Sequence, residues 1–319
     1  MQLSKEIFKS KKVLIVGDVM IDQYMMGTVY RNSPEADIPV LEDVKINAEP
    51  GGAANVAINI KNLKAQAEII SVTGDDTESE TLKSKLVEQG IKTHFLKDPG
   101  RKTTVKTRVF RDNQQLIRVD REDKKPLEDQ INKLFLDEIE FLLNSEEFDI
   151  MILQDYNKGV LHKKNISTII NLARAKNLFI AVDPKFENFN QFQNVDLFKP
   201  NLVELLSGYG AEESFSNIEQ IRDIASDVRK SLNSVHLLVT LSEKGALLLN
   251  SKNSTHLPAE KVEIVDVCGA GDAVIAISSL ALESGMSPND TLRLCIQTGK
   301  IVCSKTGVAG ASIEELLTL

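Results

Sequence analysis

Short apolar runs alternate with stretches of helical period along most of the chain, and this alternation restricts the fold more than any other feature. Val13-Leu14-Ile15-Val16 is rich in β-branched residues and ends in Gly17-Asp18, so it reads as a buried strand feeding a loop. Further strands are expected at 67–73, 149–153, 178–183, 195–198 and 235–240. After Gly51-Gly52, apolar residues recur at helical spacing as Ala53, Val56, Ala57, Ile60 and Leu63. The same period predicts helices over 77–89, 127–143, 164–176, 217–231, 271–284 and 288–304. Such alternation predicts an α/β fold with a mostly parallel central sheet and helices on both faces. Ligands of such sheets bind at the carboxyl ends of the strands.

Two stretches break the pattern. Residues 26–48 and 94–121 read as strands with no helix between them, and are expected to form a small antiparallel sheet projecting from a single domain that spans 1–319. Along Thr104 to Phe110, alternation puts Thr104, Lys106 and Arg108 on one face and Val105, Thr107 and Val109 on the other. Residues 101–125 hold nine Lys or Arg and four Asp or Glu, a basic island in a chain of net charge −8. Basic residues on an edge strand deter aggregation. They also suit a phosphate already carried by a ligand, received by Lys106, Arg108 or Arg111.

The acidic balance disfavours nucleic acid or an anionic membrane as partners. Cys268, Cys295 and Cys303 show no CxxC spacing, which suits a reducing compartment and offers no zinc site. The first twelve residues are charged and no stretch reaches transmembrane length, so a cytoplasmic location is expected. There is no Gly-x-x-x-x-Gly-Lys-Ser/Thr, and no Gly-x-Gly-x-x-Gly after the first strand, which argues against P-loop and dinucleotide chemistry.

Candidate chemistry concentrates at Val265-Asp266-Val267-Cys268-Gly269-Ala270-Gly271-Asp272, which runs into an apolar helix. Gly269, Ala270 and Gly271 can expose N–H groups at a helix N-terminus, a ready anion site. Asp272 at its rim is either a helix cap or a base that deprotonates a hydroxyl attacking a phosphoryl group. Asp18 and Asp22 are either loop caps or acceptors for ligand hydroxyls. Gly51, Gly52 and Asn55 form a tight turn into a helix, and can also touch a sugar. Asn201 and Glu204 are an i,i+3 pair that could be simple surface polarity. Asp183 and Lys185 follow a buried strand and so lie at the ligand edge or in a solvated loop.

Taken together, these segments resemble the ribokinase-like (PfkB) carbohydrate kinases. Asp266-x-x-Gly269-Ala270-Gly271-Asp272 is similar to that family's anion hole and base, Gly51-Gly52-Ala53-Ala54-Asn55 to its Gly-Gly motif, and Asn201-Leu202-Val203-Glu204 to its Asn-x-x-Glu motif. Longer strings are similar to the heptose 7-phosphate kinases within it. They include Arg31-Asn32-Ser33-Pro34-Glu35-Ala36, Asn113 to Asp120, Asp155-Tyr156-Asn157-Lys158-Gly159 and Val182-Asp183-Pro184-Lys185.

The resemblance implies a ribokinase-like fold whose projecting sheet is a lid. It implies ATP-dependent phosphorylation of O1 of D-glycero-β-D-manno-heptose 7-phosphate, with Asp272 as base and Gly269, Ala270 and Gly271 holding the γ-phosphate. Asp18, Asp22, Gly51, Gly52, Asn55, Lys106 and Arg108 would meet the sugar phosphate. Lys185, Asn201, Glu204, Thr240, Ser242 and Gly245 would meet the nucleotide, with Lys305 to Val308 beside adenine. Mg²⁺ would be held by Glu204 through water. In some relatives a monovalent cation is bound, here beside Asp266 and Thr306. A homodimer through the lid sheet is expected. In bifunctional relatives a nucleotidyltransferase domain follows; with this chain stopping at Leu319, that activity is expected from another protein. Rival readings are a kinase for fructose, ribose or a phosphofructose, a catalytically silent sugar sensor, and a non-enzymatic interaction protein. One departure stands out: Cys268 occupies the place of the family's usual Thr.

Overall fold

β1 (Lys12–Gly17) divides its side chains between two cores, Val13 and Ile15 facing one and Leu14 and Val16 the other. A strand buried on both faces cannot alternate polar and apolar residues, which is why this one is a continuous apolar run. The structure, a computed structural model, describes residues 4–112, 114–211 and 217–318; Asn113 lies outside them. After β1 come β2 (Val19–Asn32), β3 (Pro39–Gly52), α1 (Ala53–Asn62), β4 (Gln66–Gly74), α2 (Thr77–Glu88), β5 (Lys92–Asp98), β6 (Thr104–Arg111) and β7 (Gln114–Arg121). The middle of the chain holds α3 (Asp129–Ser145), β8 (Ile150–Gln154), α4 (Ile166–Ala175), β9 (Phe179–Asp183), β10 (Leu197–Phe198), α5 (Leu202–Tyr209), α6 (Ile218–Ser231) and β11 (His236–Thr240). It closes with β12 (Ala246–Leu249), β13 (Ser254–Leu257), α7 (Ala270–Glu283), α8 (Pro288–Cys303) and α9 (Ile313–Leu317).

The main sheet has nine strands in the order β13-β12-β11-β10-β9-β8-β1-β4-β5. From β5 to β11 neighbours are parallel, and β12 and β13 add an antiparallel edge. Apolar residues of α1, α2, α7 and α8 pack on one face, and those of α3, α4, α5 and α6 on the other. The expected α/β architecture is thus present.

The projecting sheet departs from expectation in three ways. Its order is β3-β2-β6-β7, and the central β2–β6 pair is parallel rather than antiparallel. A connection through β4, α2 and β5 returns the chain to the lid in the same direction, which a hairpin could not do. Residues 94–98, assigned above to the lid, belong to β5, where His94, Phe95 and Leu96 pair with Ile70, Ser71 and Val72 of the main sheet. The lid also starts earlier than expected, because Val19, Met20 and Ile21 are buried at its root.

Register fixes what each lid face presents. Asp22, Lys106 and Asp120 form one row across β2, β6 and β7, and Tyr24, Arg108 and Arg118 form the next on the same face. The opposite face carries Ile46, Met25, Val109 and Ile117 in one row. α7 is anchored by Ile275, Ile277 and Leu280, all fully buried, each contributing roughly 1.5–3 kcal/mol. Its N-terminus is therefore a rigid platform.

Candidate active site

The carboxyl ends of β1, β8, β9, β10 and β11, the N-terminus of α7 and the inner face of the lid converge. A cleft of about 90 Å³ lies among Asp22, Lys106, Arg118, Tyr156, Cys268 and Asp272. A larger groove, about 760 Å³, opens beside Lys12, Gln66, Glu146 and Lys176. These residues sit at the amino ends of the strands, the wrong end for ligands of such a sheet, and none of the expected site residues lines it.

Asp272 is 4% exposed and does not cap its helix. The N-cap is Gly269, in the left-handed region at φ 80°, with no side-chain capping bond. Asp272 instead accepts hydrogen bonds from three other elements: Asn55 Nδ2 to Oδ2 at 2.8 Å, Tyr156 Oη to Oδ1 at 2.8 Å, and Gln154 Nε2 to Oδ1 at 3.2 Å. Burial pushes its pKa up to about 7; Asn55 opposes the rise and Asp183 adds to it. A base poised near neutrality is what proton abstraction from a hydroxyl requires.

The glycine motifs are matters of space. A Cβ on Gly269 would stand 2.6 Å from Asn55 Nδ2, and one on Gly51 would stand 2.1 Å from Asp22 Oδ2. Gly51 and Gly52 end β3, Asn55 lies in the first turn of α1, and its amide is oriented by Asn59 Nδ2, 3.1 Å from Asn55 Oδ1. Of the expected anion-hole amides, that of Ala270 donates to Val267 O at 3.3 Å. The uncapped first turn of α7 still offers donors to an anion. Lys199 Nζ lies 3.7 Å from the point a Cβ on Gly271 would occupy.

Asp18 does not face the cleft. It is fully buried, and its carboxylate accepts the backbone N–H groups of Tyr156, Lys158 and Val160. It anchors the loop after β8, a role hidden in the sequence because its partners lie some 140 positions away. Burial raises its pKa, and burial together with Asp18 pushes the neighbouring Asp155 up to about 7. Asp22 and Arg108, both expected to meet the ligand, pair with one another at 2.6 Å. Lys106 makes no ion pair among the described residues, and its Nζ lies 5.8 Å above the Tyr156 ring. Burial, with Lys158 and Arg118, lowers its pKa. Arg118, which the sequence left unsingled, joins the cleft and pairs with Asp120 at 2.7 Å.

On the other side, Asn201 and Glu204 form a capping box at the start of α5. Glu204 Oε2 accepts the Asn201 N–H, and Oε1 pairs with Lys185 Nζ. Asp183 and Glu204 hold the Lys185 pKa above its usual value against the cost of burial. Thr240 bridges to Asn201 as an isolated parallel pair. Ser242 and Gly245 shape the turn from β11 into β12, where Gly245 N–H donates to Ser242 O at 2.9 Å. Asp266 clamps two loops, accepting the N–H groups of Cys268 and Gly307. Val308 lines the same cleft as Asp272. Burial and Asp22 raise the Cys268 thiol, so it is a poor nucleophile at neutral pH.

Sequence reasoning also missed Gln154 and Lys199. Gln154 Nε2 links Asp272 to Asp183, and Lys199 Nζ pairs with Asp183 at 3.0 Å. Both lie at the ends of buried strands, the one signal that could have marked them.

A nine-stranded sheet with a lid, an uncapped helix N-terminus and a buried carboxylate beside it define the class of carbohydrate kinases. The sequence matches the pfkB family carbohydrate kinases over residues 10–315, and the chain belongs to that family. It is 39% identical over 308 residues to the bifunctional protein HldE of Helicobacter pylori (strain P12), covering 96% of this chain and 66% of the relative. The HldE of Koribacter versatilis is 37% identical over 307 residues, with 96% and 62% covered. The chain thus spans about two thirds of the length of these relatives. The crystal structure of phosphofructokinase-2 from Escherichia coli in complex with potassium has a TM-score of 0.81 at 18% identity, covering 97% of each chain. Ribokinase from Thermotoga maritima has a TM-score of 0.71 at 21% identity, with 96% and 98% covered. These two likenesses carry the fold. That family places the chain among the carbohydrate kinases.

Among the described residues no cluster of His, Cys, Asp or Glu is arranged to cage a metal ion. Both Glu204 oxygens are engaged, one by the Asn201 N–H and one by Lys185, so Mg²⁺, which keeps most of its waters, would meet this carboxylate only through water. No helix, among the described residues, is long and apolar enough to cross a membrane.

Proposed function

We propose that the chain phosphorylates O1 of D-glycero-β-D-manno-heptose 7-phosphate with ATP, in a route to ADP-heptose. The observation that carries this reading is one cleft with a buried acceptor, Asp272, and two basic side chains from adjacent rows of one lid face, Lys106 and Arg118, beside it. A sugar phosphate needs both: a base at the hydroxyl that reacts and a cation for the phosphate it already bears. The relatives named HldE support a heptose substrate.

Asp272 takes the proton of the O1 hydroxyl as that oxygen attacks the γ-phosphorus. The amides at the start of α7, with Lys199 nearby, stabilise the charge that gathers on the transferring group. Mg²⁺, held through water near Glu204, would neutralise the phosphate oxygens. Lys185 pairs with Glu204 and lies 5.2 Å from the centre of the Tyr156 ring, and in this reading it meets the nucleotide. The lid excludes water, which limits wasteful hydrolysis of ATP.

The test is ADP release over a panel of free and phosphorylated sugars. Turnover is expected with heptose 7-phosphate and not with fructose or ribose. Turnover confined to unphosphorylated sugars would contradict the heptose reading and leave the kinase class standing. Lys106→Met is expected to raise KM for the sugar phosphate about 10–100-fold, the value of a hydrogen bond to a charged group. An unchanged KM would remove Lys106 from the phosphate site.

A homodimer through the lid is part of this reading. The outer lid face exposes Ile46 at 54%, Ile117 at 57% and Val119 at 53%, a patch suited to a second copy. Sedimentation should give a dimer that Ile117→Glu converts to a monomer. A monomeric parent chain would contradict it.

A further inference from the structure

The loop after β8 carries Tyr156 to the centre of the site, and its backbone is unusually well held. Besides the three N–H groups gathered by Asp18, Asp155 Oδ1 accepts the Asn157 N–H and Oδ2 accepts Asn188 Nδ2. Two lysines approach the Tyr156 ring: Lys106 of the lid stands 5.8 Å from its centre and Lys185, just after β9, 5.2 Å. The Tyr156 hydroxyl donates to Asp272 Oδ1 at 2.8 Å.

The two oxygens of Asp272 are not equivalent. Oδ1 receives both Tyr156 Oη and Gln154 Nε2, whereas Oδ2 receives Asn55 Nδ2 alone. A carboxylate oxygen offers about two lone-pair sites, so Oδ1 is filled and Oδ2 keeps one. We propose that Tyr156 is a positioning residue that, with Gln154, makes Oδ2 the oxygen that accepts the substrate proton. The inference rests on the reading of Asp272 as base. Asn59 supports it by fixing the Asn55 amide so that its NH₂, not its oxygen, meets Oδ2. Proton transfer then forms an O–H bond at Oδ2 while the substrate oxygen bonds to phosphorus and ADP departs. Tyr156 keeps its own proton throughout; its pKa is raised by burial and by Asp272.

Tyr156→Phe keeps the ring and its lysine contacts and removes only the donor. With ATP and heptose 7-phosphate, kcat is expected to fall about 10-fold with KM little changed. The acid limb of the kcat–pH profile should move up by about one unit, because a donor to the carboxylate is lost. In an Asp272→Asn background the same substitution should cost nothing further. An unshifted limb and near-normal kcat in a folded Tyr156→Phe protein, checked by its melting temperature, would overturn the proposal. So would an equal loss in both backgrounds, the mark of a purely structural role. Should the Phe protein unfold, 3-fluorotyrosine at 156, a stronger donor of nearly the same size, should move the limb down; an unmoved limb would overturn the proposal. Normal turnover by Asp272→Asn alone would instead remove the base, and this inference with it.

Discussion

Asp272→Asn should lose about 10²–10⁴-fold in turnover, the usual scale for general acid–base work, while sugar binding is kept. The carboxamide has the volume of the carboxylate and can still meet Tyr156, so the fold should hold. What it loses is the capacity to accept a proton. The same group predicts the pH dependence. With its pKa pushed up to about 7, Asp272 is mostly protonated below that pH and ionised above it. The kcat/KM profile should therefore rise with pH through about 7 and flatten beyond it. A profile already flat from pH 5 upward would mean that the base is another group or is fully ionised.

Lys199→Met should carry the largest stability cost. Lys199 is 2% exposed and its ammonium is 3.0 Å from Asp183, itself buried. Gln154 Nε2 holds the other Asp183 oxygen at 3.0 Å. Removing the cation leaves a buried carboxylate with one neutral donor, and breaking such a pair costs about 3–5 kcal/mol. Thermal unfolding should fall by several degrees. The double substitution Lys199→Met with Asp183→Asn should recover much of that loss, because the unpaired charge is gone. A double variant no more stable than the single one would show that packing rather than charge sets the cost.

Much of the main sheet was legible because buried parallel strands are continuous apolar runs, as in Val13 to Val16, and the helices between them keep their period. The lid was harder. Its inner and outer faces followed from simple alternation at Thr104 to Val109, but the parallel pairing of β2 with β6 depends on a path of some 80 residues through the main sheet. β5 was misassigned for a related reason: Lys92 to Asp98 mixes polar and apolar residues as an edge strand does, and only its pairing with β4 separates it from the lid. Among the cleft residues, those that offer a backbone or a motif stood out in the sequence: Gly52, Gly269 and Asp272 line it. Those that act by meeting a distant partner did not. Asp18 looked like a ligand group and is a loop anchor. Gln154 and Lys199 carried no motif, Tyr156 was only part of a longer string, and all three organise the charge around Asp272.

The central claim is transfer of phosphate to O1 of a sugar already phosphorylated at its far end, with Asp272 as base. Phosphorus NMR of the product from ATP and D-glycero-β-D-manno-heptose 7-phosphate tests it most directly. The account predicts a new phosphomonoester signal coupled to H1 beside the retained 7-phosphate, with both signals from the parent chain and only the original one from Asp272→Asn. A new phosphate on any other carbon, or equal product from the Asp272→Asn protein, would contradict it.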